Sequence, residues 1–151
     1  MHVHRHIFIA LALLGVSIGS VGCDESLTSI TGPTPNLVPT FSSIQAEIFN
    51  NGDSSGRAAC VQCHNAIGQL FNGLNLNANV SYNNLVNVAS RFKAGAVRVI
   101  PGDPENSYLI HKLEGRAGIV GVRMPFSGPP YLTAGQILVI RKWIELGARN
   151  D

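Results

Sequence analysis

The chain has 151 residues, a length that suits one domain with a short appendage. Its formal net charge is only +2, and its 11 lysines and arginines form no run. We therefore expect no nucleic-acid partner and no strong attraction to an anionic surface. The 16 glycines and the 7% of aromatic residues predict a small core with many loops. Because small domains bury too little surface on their own, a bound cofactor would stabilise such a chain.

The first 22 residues are predicted to be an export signal rather than part of the fold. Arg5 supplies the positive charge of a short polar start, and residues 7–21 are apolar or small throughout. This stretch is shorter than the ~20 residues that a membrane-spanning helix needs, and its length fits the hydrophobic region of a signal peptide. Small residues at the −3 and −1 positions indicate cleavage before Cys23.

Cys23 has two main interpretations. Gly22 in front of it resembles a bacterial lipoprotein signal, in which the cysteine becomes the lipid-modified first residue, although Ser20 stands where leucine is usual. Alternatively, Cys23 stays a free thiol after an ordinary signal, or the apolar stretch stays uncleaved as an anchor. Since an exposed unpaired thiol is a liability in an exported protein, we favour lipidation of Cys23. We therefore expect the protein in the periplasm or at the surface of a bacterial cell, anchored to a membrane.

Residues 23–39 are rich in Ser, Thr, Pro, Gly and Asn and predict a flexible tether. The remaining residues, 40–151, are predicted to form a loop-rich all-α domain. Its first helix covers residues 41–49, where apolar residues recur at helical spacing after a cap at Thr40 or Ser42.

The middle of the domain is predicted to contain only short elements. A surface turn is expected around Asp53, where Asn, Gly and Ser residues cluster. Short helices are predicted at residues 81–89, capped by Ser81, and at residues 104–113, capped by Asp103 with a proline at the first position.

The last helix, residues 133–146, has the clearest pattern. Thr133 and Gln136 have the spacing of a capping box, and Gly147 suits the position just after the helix. Apolar residues cover about half of its circumference at roughly 100° per residue. Such a helix must pack against the rest of the domain, with Trp143 as a large contributor.

The run Cys60-Val61-Gln62-Cys63-His64 carries the strongest chemical signal. Two thiols separated by two residues can each form a thioether with one haem vinyl group, and the histidine that follows can bind the iron. We therefore predict one covalent haem c held by Cys60 and Cys63, with His64 as the proximal ligand. The predicted export supports this, since haem is attached in this way outside the cytoplasm.

Two other uses of this motif are weaker. A zinc site needs a second pair of ligands, and after export His111 is the only good candidate left. A thioredoxin-like redox pair or a disulfide would usually lie between a strand and a helix. The sequence around Cys60 does not predict this context.

The second axial ligand of the iron is predicted to be Met124. Such a ligand is usually methionine or histidine, and the mature chain keeps only Met124 and His111 beside the motif. Met124 lies in a loop restricted by Pro125 and further prolines, whereas His111 lies within a predicted helix and suits an exposed position. A methionine that fills a gap in the core and an open sixth position are the alternatives.

The propionates of haem need polar or cationic partners. Because guanidinium groups pair with carboxylates through two hydrogen bonds, Arg98 and Arg123 are candidates, together with Lys93. A solvated surface charge is an equally good interpretation of each.

Taken in order, these motifs resemble a class I cytochrome c domain. The first helix and the Cys/His motif are followed by residues 99–109 with Pro-Gly-Asp-Pro, by Met-Pro, and by Trp-Ile-Glu-Leu-Gly-Ala at 143–148. The similarity covers about residues 40–149 and is greatest to the single-haem domains of the planctomycete-type cytochrome c group. The resemblance implies a helical fold whose first and last helices cross beside the haem, His64 and Met124 as axial ligands, and electron transfer. The segment before the haem motif is longer than in that family.

We therefore expect an electron carrier rather than an enzyme. A haem iron closed by His64 and Met124 has no free position for a substrate, so single electrons would pass between redox partner proteins. Two alternatives stay open: a membrane-tethered redox subunit of a larger respiratory or photosynthetic complex, and an open-site haem enzyme or gas sensor. The second needs a distal acid or base, for which His111 is the only histidine left.

Overall fold

The computed structural model describes residues 31–151. The predicted export signal and the predicted lipid-modified Cys23 lie outside the described residues. Within the described part the chain is helical, and its few β-bridges stay isolated without forming a sheet. The predicted all-α class is confirmed at this level.

Helix α1 covers Phe41–Ile44 and continues into a π-helical segment, Gln45–Asn50, and a 3₁₀ turn covers Cys60–Gln62. The other helices are α2 (Gln69–Asn72), α3 (Ser81–Leu85), α4 (Tyr108–Glu114) and α5 (Ala134–Glu145). Helix α5 is the longest of them with 12 residues. Helices this short are not stable alone, so the domain depends on tertiary packing.

The predicted start of α1 and both predicted ends of α5 are confirmed, whereas the predicted helix at residues 41–49 is α-helical only to Ile44. The Thr40 hydroxyl accepts a hydrogen bond from the Ser43 amide at 3.3 Å and caps α1. At α5, the Thr133 hydroxyl accepts from the Gln136 amide while the Gln136 side chain accepts from the Thr133 amide, which completes the capping box. Gly147 follows α5 with a φ of +98°, a conformation that favours glycine.

Helix α3 is shorter than predicted and is not capped by Ser81. It ends at Leu85, because residues 86–89 leave the helix and form isolated bridges with residues 97–99. The Ser81 hydroxyl donates instead to the Gln45 side chain at 2.5 Å. It therefore ties α3 to the π-helical segment.

Helix α4 begins at Tyr108 rather than directly after Asp103 as predicted. The Asp103 carboxylate accepts from the Asn106 amide at 3.0 Å, and the Asp103 carbonyl accepts from the Ser107 hydroxyl at 2.7 Å. These bonds close a separate turn in front of the helix. The end of the helix agrees with the prediction, since Gly115 follows with a φ of +72°.

Residues 31–39, which composition assigns to a flexible tether, pack against the domain. The side chain of Leu37 is fully buried, and Thr34 is almost fully buried. The Gln136 side chain donates to the Thr34 hydroxyl at 3.0 Å. The folded domain therefore includes residues before position 40, because one leucine and one buried hydrogen bond anchor an otherwise polar segment.

The core joins α1 to α5. Phe41 packs against Trp143 with ring centroids 5.4 Å apart and against Tyr82 at 5.1 Å. The buried Trp143 indole donates to the Arg149 carbonyl at 2.8 Å, and the Tyr82 hydroxyl donates to the Ala148 carbonyl at 2.9 Å. This aromatic cluster therefore also fixes the carboxyl-terminal segment.

Candidate cofactor site

A largely apolar cavity of about 830 Å³, counted with the space at its open mouth, lies beside this core. Its apolar wall includes Ile48, Phe49, Leu74, Leu76, Leu109 and Leu113. Three of the four predicted haem-binding residues, Cys60, His64 and Met124, also line it.

The Cys/His motif folds into a tight turn that brings Cys60 and His64 to the same wall. The amides of Cys63 and His64 donate to the Cys60 carbonyl at 3.3 and 2.9 Å. Cys63 is exposed and is not part of the wall. The Asn72 side chain donates to the Cys63 carbonyl at 2.8 Å, so α2 holds the turn from the outside.

His64 contributes a half-buried imidazole whose buried Nδ1 atom has no hydrogen-bond partner among the described residues. Burial lowers the pKa of His64. Polar groups of Asn72 and Leu74 oppose this pKa shift, and the charges of Lys112 and Arg98 reinforce it. A neutral ring with an unsatisfied buried nitrogen suits a metal ligand, since metals bind the unprotonated nitrogen.

Cys60 contributes a buried thiol to the same wall. Burial raises its pKa to about 11, against a smaller opposing effect of the Arg57 charge. The thiol is therefore neutral at pH 7, and it donates to the Ile48 carbonyl with an Sγ–O distance of 3.4 Å. The thiolate is the reactive form, so this environment keeps Cys60 in its less reactive form.

An ion pair holds the segment in front of the motif. Arg57 Nε lies 2.9 Å from an Asp53 carboxylate oxygen, and the two side chains are 0% and 2% exposed. Burial raises the pKa of Asp53, but hydrogen bonds from its neighbours, Arg57 and Gln136 among them, together hold it below the ordinary value. Arg57 also donates to the carbonyls of Ile48 and Ala58 at 3.3 and 3.0 Å. The pair therefore connects the cavity wall to α5.

The sequence predicts a surface turn around Asp53. This prediction is wrong for the Asp53 carboxylate, because that group lies inside the domain. The sequence pattern did not single out Arg57 at all. The available signal was an aspartate and an arginine four residues apart, with no other Asp, Glu, Lys or Arg between residues 48 and 90. Such an isolated pair is a candidate for burial, because each charge can neutralise the other.

Met124 reaches the cavity from the loop after α4. Its side chain packs against the core, and its amide donates to the Lys112 carbonyl at 2.8 Å. His111, the other candidate ligand, lies outside this cavity lining, with Nε2 2.7 Å from the Glu105 carbonyl. The fold therefore brings Met124, and not His111, to the wall that holds His64.

The described cavity lining includes cationic residues and no carboxylate. Of the three residues predicted to bind propionates, only Arg98 lines the cavity. Its guanidinium donates to the carbonyls of Asn84 and Gly73 at 2.6 and 2.5 Å, and burial lowers its pKa. Arg123 and Lys93 lie outside this lining and bind other carbonyls. A partly buried cation without an acidic partner favours an anionic occupant.

Neither a cluster of metal-binding side chains nor a membrane span is found in residues 31–151. No three His, Cys, Asp or Glu side chains come together there in a group that could hold a metal ion. None of the described helices is long and apolar enough to cross a membrane.

Comparisons with known proteins give no relative of this chain. No protein-family model matches it, and neither a curated protein nor a solved structure matches it. The resemblance to class I cytochromes c therefore rests on the motif residues.

Proposed function

We propose that this chain is an exported electron-transfer protein of the class I cytochrome c type, carrying one covalent haem c. The observation that supports this most is that Cys60, His64 and Met124 line one apolar cavity, although Met124 lies far along the chain from the motif. A thiol, an imidazole and a thioether are the donors that haem c attachment with His/Met ligation requires.

Each of these side chains has a distinct role in the proposal. Cys60 and Cys63 form the thioethers, and His64 and Met124 bind the iron. When bound, haem supplies an iron that takes up and releases one electron. The apolar wall excludes water, and a methionine ligand raises the reduction potential relative to two histidines.

Arg98 is the proposed partner of a haem propionate. Its guanidinium has five N–H donors, and the two carbonyls that it binds leave the others available. A carboxylate at the cavity would offset the cost of burying this charge and would fix the orientation of the group.

A carrier is favoured over an enzyme or a gas sensor. If His64 and Met124 both held the iron, a substrate would find no free position on it, and electrons would pass to redox partner proteins without bond formation. The described lining has no histidine besides His64 and no carboxylate, so it offers no such group as a distal acid or base.

The proposal places the protein in the periplasm or at the cell surface, anchored by a lipid on Cys23. Its support is the predicted export signal and the presence of Cys23 as the one cysteine outside the Cys/His motif. Cys23→Ser is expected to move the protein from the membrane fraction to the soluble fraction. A serine variant that stays in membranes would contradict the lipid anchor. Co-purification of the wild type with membrane proteins would favour a subunit of a larger complex.

Mass spectrometry of the denatured protein, matured in a host that attaches haem, tests the cofactor. The wild type is expected to keep the mass of one haem, because thioethers survive denaturation. The double variant Cys60→Ala, Cys63→Ala is expected to lose it, whereas the control variant His111→Ala keeps it. A wild-type chain without covalent haem would overturn the proposal.

A further inference from the structure

Lys112 of α4 is bonded at three points to the loop that carries Met124. Its carbonyl accepts from the Met124 amide at 2.8 Å, and its Nζ donates to the carbonyls of Val120 and Val122 at 2.9 and 2.5 Å. A single helical residue therefore fixes the loop at Met124 itself and at two positions shortly before it.

Two other side chains also hold this loop, since Lys93 donates to the Gly118 carbonyl at 2.5 Å and Arg123 donates to the Leu113 carbonyl at 2.7 Å. Val120 and Val122 are 48% and 52% exposed, so apolar burial contributes little. Gly118 and Gly121 have φ values of +77° and +72°, and glycines give the backbone wide freedom. The Val120 amide donates to the Tyr108 hydroxyl at 2.9 Å, so this bond leads to α4 as well. The loop is therefore held mainly by polar bonds, and most of these lead to α4.

The Lys112 ammonium forms no ion pair with the described acidic residues. Its side chain lines the cavity, and burial lowers its pKa. Lysines on helices usually keep the ammonium in water, but here it donates to two carbonyls of one loop. Hydrogen bonds from a charged donor are stronger than neutral ones, so their loss should loosen the loop.

We propose that Lys112 is a positioning residue that holds Met124 at the haem iron and so keeps the sixth coordination position closed. This inference rests on the proposed function, in which Met124 is an axial ligand. The Lys112 ammonium fixes the loop carbonyls, and the Lys112 carbonyl fixes the Met124 amide. Carbon monoxide reaches the iron only when this loop opens.

Carbon monoxide binding to the reduced haem protein measures how often the sixth position is open. Lys112→Met keeps the length of the side chain and removes its donors. We expect the open fraction, and with it the rate of carbon monoxide binding, to rise at least about tenfold, because the substitution removes two hydrogen bonds and one alone corresponds to about that factor. The methionine–iron absorption band of the oxidised protein should weaken in parallel. Lys112→Arg keeps the donors and is expected to restore the wild-type behaviour.

Lys142→Met is the matched control. Lys142 lies on α5, pairs with Glu145 at 3.1 Å, and is outside the cavity lining. The Lys142→Met variant is expected to bind carbon monoxide at the wild-type rate. If Lys112→Met does not accumulate, Lys112→Gln is compared with Lys112→Arg, and faster binding is expected in the glutamine variant.

Two failures are distinguishable in this experiment. Equal carbon monoxide binding in Lys112→Met and Lys142→Met, or in the glutamine and arginine variants, would overturn the role of Lys112 and leave the proposed function intact. Binding to the wild type as fast as to Met124→Ala would instead show that Met124 does not close the site, and the proposed function would fail.

Discussion

The two sides of this domain are packed in different ways. On one side, α1, α3 and α5 meet through the aromatic cluster of Phe41, Tyr82 and Trp143. On the other side, the cavity is open, and the segments that form its wall carry large exposed side chains. Phe71 and Phe126 are 77% and 76% exposed.

This difference indicates that the polypeptide completes its own packing on one side only. Single exposed apolar residues are common on protein surfaces, but an apolar cavity with exposed aromatic residues on its flanking segments is a feature of binding sites. Under the proposed function, haem fills the cavity and the packed side holds the frame around it. Substitutions on the packed side should therefore change stability, and substitutions on the open side should change haem binding and ligation.

The largest effect on stability is expected for Trp143→Ala on the packed side. Removing a fully buried tryptophan leaves a large cavity, which costs about 3–5 kcal/mol. Urea unfolding measures this loss. Leu138→Ala, an exposed position on the same helix, is the control and should change stability by under about 0.5 kcal/mol. Similar values for the two variants would contradict the packing described for α5.

The next largest effect is expected for Asp53→Asn, where the two sides meet. The substitution leaves Arg57 buried without its counter-charge, which costs about 3 kcal/mol. The double variant Asp53→Asn, Arg57→Met should recover part of this loss, because no unpaired charge remains. Glu145→Gln removes a partner from an exposed pair and serves as the control. A loss under about 0.5 kcal/mol for Asp53→Asn would mean that the pair is solvated.

A smaller effect concerns pH. The pKa of Asp53 is lower in the folded protein than its ordinary value, so its contribution to stability is fully present above the unfolded pKa of about 4. The contribution is lost as the pH falls through the folded pKa. The urea midpoint of the wild type should therefore fall more steeply between about pH 5 and 3 than that of Asp53→Asn. Parallel curves would show that Asp53 is not the group responsible.

The smallest effect is expected on the open side. Phe71→Ala removes a side chain with few buried contacts, so the free energy of unfolding should change by under about 0.5 kcal/mol. The measurement is urea unfolding of the haem-free double variant Cys60→Ala, Cys63→Ala, with and without Phe71→Ala. This background isolates the contribution of the polypeptide to the free energy of unfolding. A loss of about 2 kcal/mol would mean that the open side is also packed by its own side chains.

The features predicted correctly from the sequence are local ones. The capping box of α5 involves Thr133 and Gln136, which lie within one helical turn of each other, so the sequence spacing was sufficient to predict it. The cap of α1 at Thr40 is local as well.

Several of the features that the sequence pattern missed depend on contacts between distant residues. The inward position of Asp53 depends on Arg57 and on Gln136 of α5, and the anchoring of residues 31–39 depends on the same glutamine. The bonds from Lys112 to the Met124 loop appear only once α4 and that loop are side by side. Composition and periodicity carry no information on such pairs.

The central claim is that the chain holds a haem c whose iron is closed by His64 and Met124. The absorption spectrum of the protein matured in a haem-attaching host tests it most directly. The spectrum is recorded for the oxidised and the reduced protein, with and without carbon monoxide. We expect a low-spin haem c spectrum, a methionine–iron band in the oxidised state that disappears in Met124→Ala, and no ready shift with carbon monoxide. A high-spin spectrum, or ready carbon monoxide binding by the wild type, would contradict a closed electron-transfer site.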